Sequence, residues 1–515
     1  MTSRRRVPLA LVSVALVSSV LTACGGSSGA SAPDTLRIAG PFEIHSLDPT
    51  ADGEVFTRLQ VVETLVTSDI EGALVPGLAL KWSSTEDYME WTFDLVEGAE
   101  FHDGTALTPD TVIAALEEVA DQEASPLAEV PIESLEADGS SLVVELSEPY
   151  FTLPAVLTHY STAILAPAAY DDEGQVREVI GSGPYEIDRV ELPASITTRR
   201  SDSWRGEAPE VEKVSFQAVG RAESRALMAV SDQADVVFGF EPAGRQRVDG
   251  ADGVRMESSL QPRTILLKVN AEHPVLGDVR VRRALSLALD REAMAEAVLR
   301  EKELAATQLL PPSLDAWQAD LEPLMHDRDA AIALLAEAGW KRSGDGTLTK
   351  DGRPLELNLL TYPDRAELPA LATAMQGALA EIGVDIEVEV SNSSEVPAKH
   401  ADGSLELALV AKHFALVSDP LIDIAGVFAP GGADFGVMNW EDRSVRTAVD
   451  ALLGGAQEAE AQGHRETIVR VAQEQLPLIP VAWYRMNAAV SDRVAGFVMD
   501  PLETTWRITD LEWAS

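Results

Sequence analysis

Cysteine is almost missing from this 515-residue chain: the single one, Cys24, excludes an intramolecular disulfide, so stability must come from buried apolar area. Basic residues are scarce as well. Forty Lys+Arg face 84 Asp+Glu, a net charge of -44, and such a field repels phosphate backbones and anionic headgroups, which argues against nucleic acid as a partner. The acidity suits the solubility of an exported protein and also the attraction of cationic ligands, and charge alone does not choose between them. No run beyond residue 21 approaches, without charges, the ~20 apolar residues needed to span hydrocarbon. The eight histidines include no pair at helical three- or four-residue spacing, and there is no H-E-x-x-H, no second thiolate for zinc and no G-x-x-x-x-G-K-[ST]. With no catalytic constellation and no cofactor motif, a non-enzyme without a cofactor is expected. What is present, 46% apolar and 24% charged residues, describes a globular chain with about three domains' worth of core.

The N-terminus reads as an export signal. Arg4, Arg5 and Arg6 precede an uncharged run from Val7 to Leu21, which ends in Leu21-Thr22-Ala23-Cys24 before a Gly/Ser-rich stretch. Those last four residues resemble the lipobox of bacterial lipoproteins, which implies acylation of Cys24. Residues 1–23 are then a lipoprotein signal peptide and 24–34 a flexible tether. Ser3-Arg4-Arg5-Arg6-Val7 also weakly resembles a twin-arginine export signal. Because the body is acidic, membrane attachment would rest on acyl chains, at about 0.8 kcal/mol per buried methylene. Gly25-Gly26-Ser27-Ser28-Gly29 matches G-x-S-x-G, but it lies between the leader and the first strand, where a nucleophile elbow has no strand before it.

Beyond the tether the chain alternates strand and helix patterns. Leu36–Ala39, Trp91–Leu95 and Leu142–Leu146 have period two, and Thr108 with Pro109 opens a helix whose apolar face is Val112, Ala115, Leu116 and Val119. Asp278–Leu289 and Asp329–Trp340 read as helices, the second stopped at Gly339; the arginines at 280, 282 and 283 fit a solvated or salt-bridged face. Leu355–Leu359, Leu368–Ile382 and Val384–Val390 form strand, helix, strand, followed by a strand at 405–409, a helix at 443–453 and a late strand at 479–483 whose Pro480 suggests an edge. This is α/β architecture.

Several segments, in order, resemble family 5 extracellular solute-binding proteins, the peptide and nickel receptors of ABC importers. They are Glu63-Thr64-Leu65, Leu74–Ala79, Trp91–Leu95, Phe101-His102-Asp103-Gly104-Thr105, Thr108–Val112, Gly181-Ser182-Gly183-Pro184-Tyr185, Asp278–Leu285 with Asp290-Arg291-Glu292, and Ala333–Trp340. The resemblance implies a two-lobed periplasmic-binding-protein-like fold (type II, large cluster) with the ligand cleft between lobes. Lobe I would comprise 35–53, 181–266 and 479–515, with an inserted subdomain at 54–180, and lobe II 267–478. It also implies capture of a small solute or peptide by a monomer and delivery to permease and ATPase subunits.

Site residues follow from both readings. Glu43 and His45 lie just after the first strand, where open α/β sheets place ligands; His413 and Phe414 follow the strand ending near Val410, and Tyr160 offers a ring and a hydroxyl. By resemblance, Phe414 matches an aromatic wall position and Thr504 a cleft threonine. The peptide branch holds the ligand's amino terminus on an acid, and the matching residue here is Leu416, which cannot accept that bond. Asp419 could replace it if the register differs by a turn. In the nickel branch the histidine ligand before Ala-Asp-Phe is matched by Gly432, which offers a metal nothing, so the ligand stays open between peptide, metal chelate and another solute.

Overall fold

A computed structural model describes residues 35–122, 125–344, 347–417 and 419–514. The leader, the tether and Cys24 lie outside the described residues. β1 (Thr35–Gly40) starts the main sheet, and the helix α1 (Glu54–Arg58) follows it with Phe56 fully buried. The chain then builds an antiparallel sheet of its own from β2 (Ala79–Ser84), β3 (Glu90–Leu95), β4 (Ile132–Asp138) and β5 (Ser141–Leu146), in the order β2-β3-β5-β4. α2 (Pro109–Ala120) covers it. Its first turn is held by a capping box in which Thr108 Oγ accepts from the Thr111 amide while Thr111 Oγ accepts from the Thr108 amide, and its buried face is Val112, Ala115, Leu116 and Val119.

The other strands of the main sheet are β6 (Tyr185–Glu191), β7 (Ser195–Arg200), β8 (Lys213–Ala218), β9 (Val236–Phe238), β10 (Val254–Val269), β11 (Glu356–Thr361), β12 (Asp385–Val390), β13 (Leu407–His413) and β14 (Leu478–Ser491). Among the described residues ten strands join in one mixed sheet, ordered β12-β11-β13-β10-β14-β9-β1-β8-β7-β6. β1 runs parallel to β8 and β9, and β11 parallel to β12 and β13, as helical crossovers require. The antiparallel pair β10 and β14 is long enough to serve both halves of the sheet, and here the chain passes between lobes. Its ladder shifts register between Leu260 and Thr264, around Gln261-Pro262-Arg263, because a proline has no amide hydrogen to donate.

Each half has its own core. Leu36, Phe56, Tyr185, Val214 and Val490 are buried in one, and Leu266, Leu285, Leu335, Leu371 and Leu409 in another. The third core gathers residues between Leu65 and Ala166. Phe56, Leu59, Val61, Val62, Ala169 and Val179, which fall inside the 54–180 insert of the sequence reading, pack in the lobe I core instead. The boundary of the insert is a matter of which core each side chain reaches, and the sequence does not carry that.

Other details refine the sequence reading. Pro480 lies in a strand flanked on both sides in the sheet order, yet β9 pairs only with its far end, residues 488–490, so Pro480 itself sits where the lobe II half of the sheet ends. Gly181 and Gly183 have no positive φ. A Cβ on either would stand 2.2 Å from a backbone carbonyl, that of Val61 or Gln60, so these positions need space and not unusual angles. The His102 amide and Nε2–H then donate to Gly181 O (2.8 Å) and Gly183 O (2.9 Å), which docks the Phe101-His102-Asp103-Gly104 turn on this segment. In α4 (Val279–Leu287), Arg282 is buried rather than solvated, and it donates to the carbonyls of Gln475 and Leu276. (The helix α3 is Pro242–Asp249.)

Candidate functional site

Two adjoining cavities open where β10 and β14 cross between lobes. The first, of about 130 Å³, is lined from lobe I by Phe42 after β1, by Phe238 at the end of β9 and by Phe240 beyond it, from β14 by Trp483 and Tyr484, and from the C-terminal segment by Trp506. Phe238 and Trp506 stack at 5.7 Å with an interplanar angle of 17°. Lobe II contributes Arg365 and Glu367, at the end of the loop after β11. The second cavity, of about 630 Å³, is more polar and is lined among others by Thr57, Gln60, Tyr160, Leu416 and Thr504.

A buried ionic cluster stands between them. Glu503 lines both cavities, and it accepts from Arg263 Nη1 at 2.6 Å and from Arg58 Nη2 at 3.4 Å, while its backbone carbonyl accepts from Arg58 Nε at 2.7 Å. Oriented with its nitrogen toward the carboxylate, the buried Gln261 amide donates to Glu503 Oε1 at 3.1 Å. Burial works to raise the Glu503 carboxyl, but Arg263, with Arg58 and Arg365 beyond it, outweighs burial and holds it down at about 2. A second cluster, Arg245 of α3 and Arg485 of β14 on Glu301 of lobe II (2.6 and 2.7 Å), ties lobe I, the crossing strand and lobe II at the rim.

Most charges facing the first cavity are satisfied within the protein. Asp500 accepts from the amides of Leu502, Thr504 and Thr505, Asp52 from those of His45 and Ser46, and Arg225 donates to Val219, Gly220 and Gly239 carbonyls. Arg365 is different. Its guanidinium lies 4.9 Å from the Tyr484 ring centroid and 5.7 Å from that of Phe42, and among the described residues it has no hydrogen-bond acceptor and no ion-pair partner. Burial works to lower its pKa, and Tyr484 and Glu503 overcome that, so it stays charged. Trp483 Nε1 and Glu367 Oε1 are buried without a partner, and burial pushes the Glu367 carboxyl up.

The structure distributes the sequence-derived residues as follows. Glu43 lines the first cavity at its open side, with His45 3.8 Å from it and both side chains exposed. Tyr160 and Thr504 line the second cavity; the Thr504 hydroxyl is spent on Asp500 at 2.8 Å, and the Tyr160 ring lies 4.0 Å from that of His159. Phe414 is fully buried in the lobe II core and lines neither cavity. His413 is buried behind the Arg263–Glu503 pair, its Nδ1 accepting from the Ala415 amide at 3.1 Å, and burial holds its imidazole neutral, down at about 3. Asp419 caps the helix Pro420–Val427 by accepting from Leu421 N at 2.9 Å. Leu416 lines the second cavity, with its amide held by Asp423 at 2.7 Å.

Arg58, Arg263, Arg365, Glu367, Trp483, Tyr484, Glu503 and Trp506 are absent from the sequence-derived set. One signal was available: the apolar run of β14 gives way to Trp483-Tyr484-Arg485, bulky polar-tipped residues in a strand that passes through the centre of the molecule. Among the described residues no group of three His, Cys, Asp or Glu is arranged to hold a metal, and no helix is long and apolar enough to cross a membrane.

The sequence profile of the bacterial extracellular solute-binding proteins, family 5 middle region, matches residues 73–433, and the chain belongs to that family. It is therefore a solute-binding protein of the peptide/nickel ABC importer type, whose members carry substrates. The nickel-binding periplasmic protein of Escherichia coli (strain K12) is 22% identical over 493 residues, which cover 92% of this chain and 94% of that protein. The dipeptide-binding protein of the same organism is 23% identical over 463 residues, covering 83% and 84%. The crystal structure of NikA from Brucella suis in complex with Fe(III)-EDTA shares the fold with a TM-score of 0.84 at 22% identity, over 93% of this chain and 100% of that one. The two-lobed α/β fold expected from the sequence is the fold found.

Proposed function

We propose that the protein is a lipid-anchored receptor, held at the outer face of the cytoplasmic membrane through Cys24, that captures one small solute between its lobes and delivers it to an ABC permease. The observation that carries this reading is the position of the cavities: Phe42 from lobe I, Tyr484 from the crossing strand and Arg365 from lobe II face one space. A ligand there gains all its contacts only when the lobes are together, so binding shifts the population toward a closed form that a permease can recognise. No bond needs to break, and the work is capture and release by a monomer.

An ordinary peptide reading would need another group in place of the acid that Leu416 lacks, since Asp419 is engaged as a helix cap. A nickel chelate would have to bring its own coordination, because Gly432 has no side chain and a Cβ there would stand 2.1 Å from Val437 O. Solution scattering of the exported chain carrying Cys24→Ser, with and without solute retained from its host, tests the reading. A smaller radius of gyration with solute is expected, and an unchanged one refutes capture by closure.

A further inference from the structure

The chain has 28 aromatic residues (12 Phe, 9 Trp and 7 Tyr), and eight of them line the first cavity. Aromatic side chains are thus gathered at one place in a protein that uses few of them; Phe216, Phe238 and Phe497 also belong to the lobe I core, whereas Phe42 and Trp483 belong to none of the buried clusters. The space of about 130 Å³ that they enclose has the size of a single ring: an engineered apolar cavity of about 150 Å³ takes up benzene. Rings stack offset or edge-on to one another, so an aromatic ligand gains specific contacts here as well as apolar burial.

One wall of that space is not apolar. Arg365 carries a charge that no protein group accepts a hydrogen bond from, sandwiched between Phe42 and Tyr484, whose ring faces hold the cation in place without occupying its N–H groups. Its five donors form a planar fork that matches a carboxylate. Among the acids lining the same cavity, Asp52 and Asp500 are engaged by backbone amides, Glu54 by Arg58 and Glu503 by Arg263 and Arg58, while Glu43 and Asp364 are exposed at the rim; Glu503 acts on Arg365 through space, without an ion pair between them. Glu367, two residues away, has one oxygen buried without a partner, and burial pushes its carboxyl up. Trp483 Nε1–H is a further donor without an acceptor.

We infer that the first cavity is the subsite for an organic anion, a ring-sized apolar or aromatic body bearing a carboxylate, with Arg365 as the group that binds the carboxylate. This rests on the solute-capture reading and names its substrate class. The net acidity of the surface does not govern the choice of ligand; the Arg365 guanidinium, which has no ion-pair partner among the described residues lining the cavity, does. Because Arg365 belongs to lobe II and Phe42 to lobe I, an anion on the guanidinium is bound only in the arrangement that brings the two lobes together.

The test is calorimetric titration of the exported chain carrying Cys24→Ser with 3-phenylpropionate, its neutral analogue 3-phenylpropanamide, and acetate. Saturable binding of the phenylpropionate is expected, with the amide and acetate each at least 10-fold weaker. Arg365→Gln should weaken phenylpropionate by about 10- to 100-fold, the span of a hydrogen-bonded charge, and Arg365→Lys by less. Because the guanidinium also stacks on Phe42 and Tyr484 and acts on Glu503, some loss of stability is expected in Arg365→Gln, so the discriminating readout is the preference for acid over amide, which Arg365→Gln should abolish and which a merely structural arginine would leave intact. Equal affinity for acid and amide, no saturable binding of the acid, or unchanged affinity in Arg365→Gln overturns the inference. Native mass spectrometry of the host-purified protein separates the two levels. A cationic or uncharged cargo leaves solute capture standing and refutes the anion subsite, a ring-bearing carboxylate supports both, and the absence of any cargo together with no binding of the probes refutes both.

Discussion

Glu503 is the residue whose loss should be felt most. Glu503→Gln keeps the size and the planar head of the side chain, and it also keeps the left-handed backbone that this position adopts (φ 61°), so only the charge is removed. The change leaves the Arg263 guanidinium, whose side chain is 6% exposed, without its counter-ion. Breaking a buried pair from one side costs about 3–5 kcal/mol, because the surviving charge is neither solvated nor paired. A second route gives a similar figure. A carboxyl at about 2 in the folded chain and at its ordinary 4.5 unfolded is worth about 3 kcal/mol at pH 7, at about 1.4 kcal/mol per pH unit. The sign follows from proton binding: between these two values the unfolded chain binds more protons than the folded one, so the contribution is complete above pH 4.5 and is lost as pH falls through about 2. Urea unfolding of ligand-free wild-type and Glu503→Gln proteins should therefore differ by about 3 kcal/mol at pH 7 and by about 1.4 kcal/mol at pH 3. Adding Arg263→Met to Glu503→Gln should recover most of the loss, since the uncompensated charge is gone. A difference below about 1 kcal/mol at pH 7, or one that does not shrink toward pH 3, would show that the cluster is not a coupled buried pair.

Three other outcomes are expected. Asp235, whose side chain is fully buried, accepts from Arg37 N and Nε (2.8 and 2.9 Å) and pairs with Arg493, so Asp235→Asn should lower stability by about 2–4 kcal/mol in thermal or urea unfolding, and a loss under ~0.5 kcal/mol would contradict its role as the tie between β1 and the segment that follows β14. Lys268 is fully buried, donates to His400 Nδ1 (2.6 Å) and to the carbonyls of Ala433 and Asp434, and burial lowers it to about 7. From pH 7 to 10 the unfolded chain then binds the extra proton, so stability should rise with pH over that window, and Lys268→Met should flatten the slope; an equal slope in the variant argues against the assignment. Cys24→Ser should move the exported protein from the membrane to the soluble fraction on cell fractionation, and unchanged membrane association would rule out the anchor.

How much of this was legible beforehand depends on distance along the chain. Thr108, Pro109 and the apolar face behind them specify a helix within one turn, and the structure has it at Pro109–Ala120 with the cap in place. Leu368 and the alternation that follows Gly383 give α5 (Leu368–Glu381) and then β12 for the same reason. The ordered motifs from Glu63 to Trp340 were enough for the family, because the family is a property of the linear string. The Gly181 and Gly183 positions were legible as special but not in kind, since the carbonyls of Gln60 and Val61 that crowd them lie more than 100 residues earlier.

The sequence by itself therefore determined the elements, the family and the candidate anchor, which rest on spacing, caps and local composition. Tertiary structure alone decided the site. Arg58, Arg263 and Glu503 become one cluster, and Phe42, Arg365 and Tyr484 one sandwich, only because β10 and β14 cross between lobes and bring together residues up to 445 positions apart. The same folding took Phe414 and His413 out of reach of any ligand, since the strand that ends at His413 runs beneath the cavities and turns those side chains into the interior. Local chemistry says what a side chain can do, and burial and partnership decide whether it is free to do it: Asp419 and Thr504 are already engaged, and Arg365 is not.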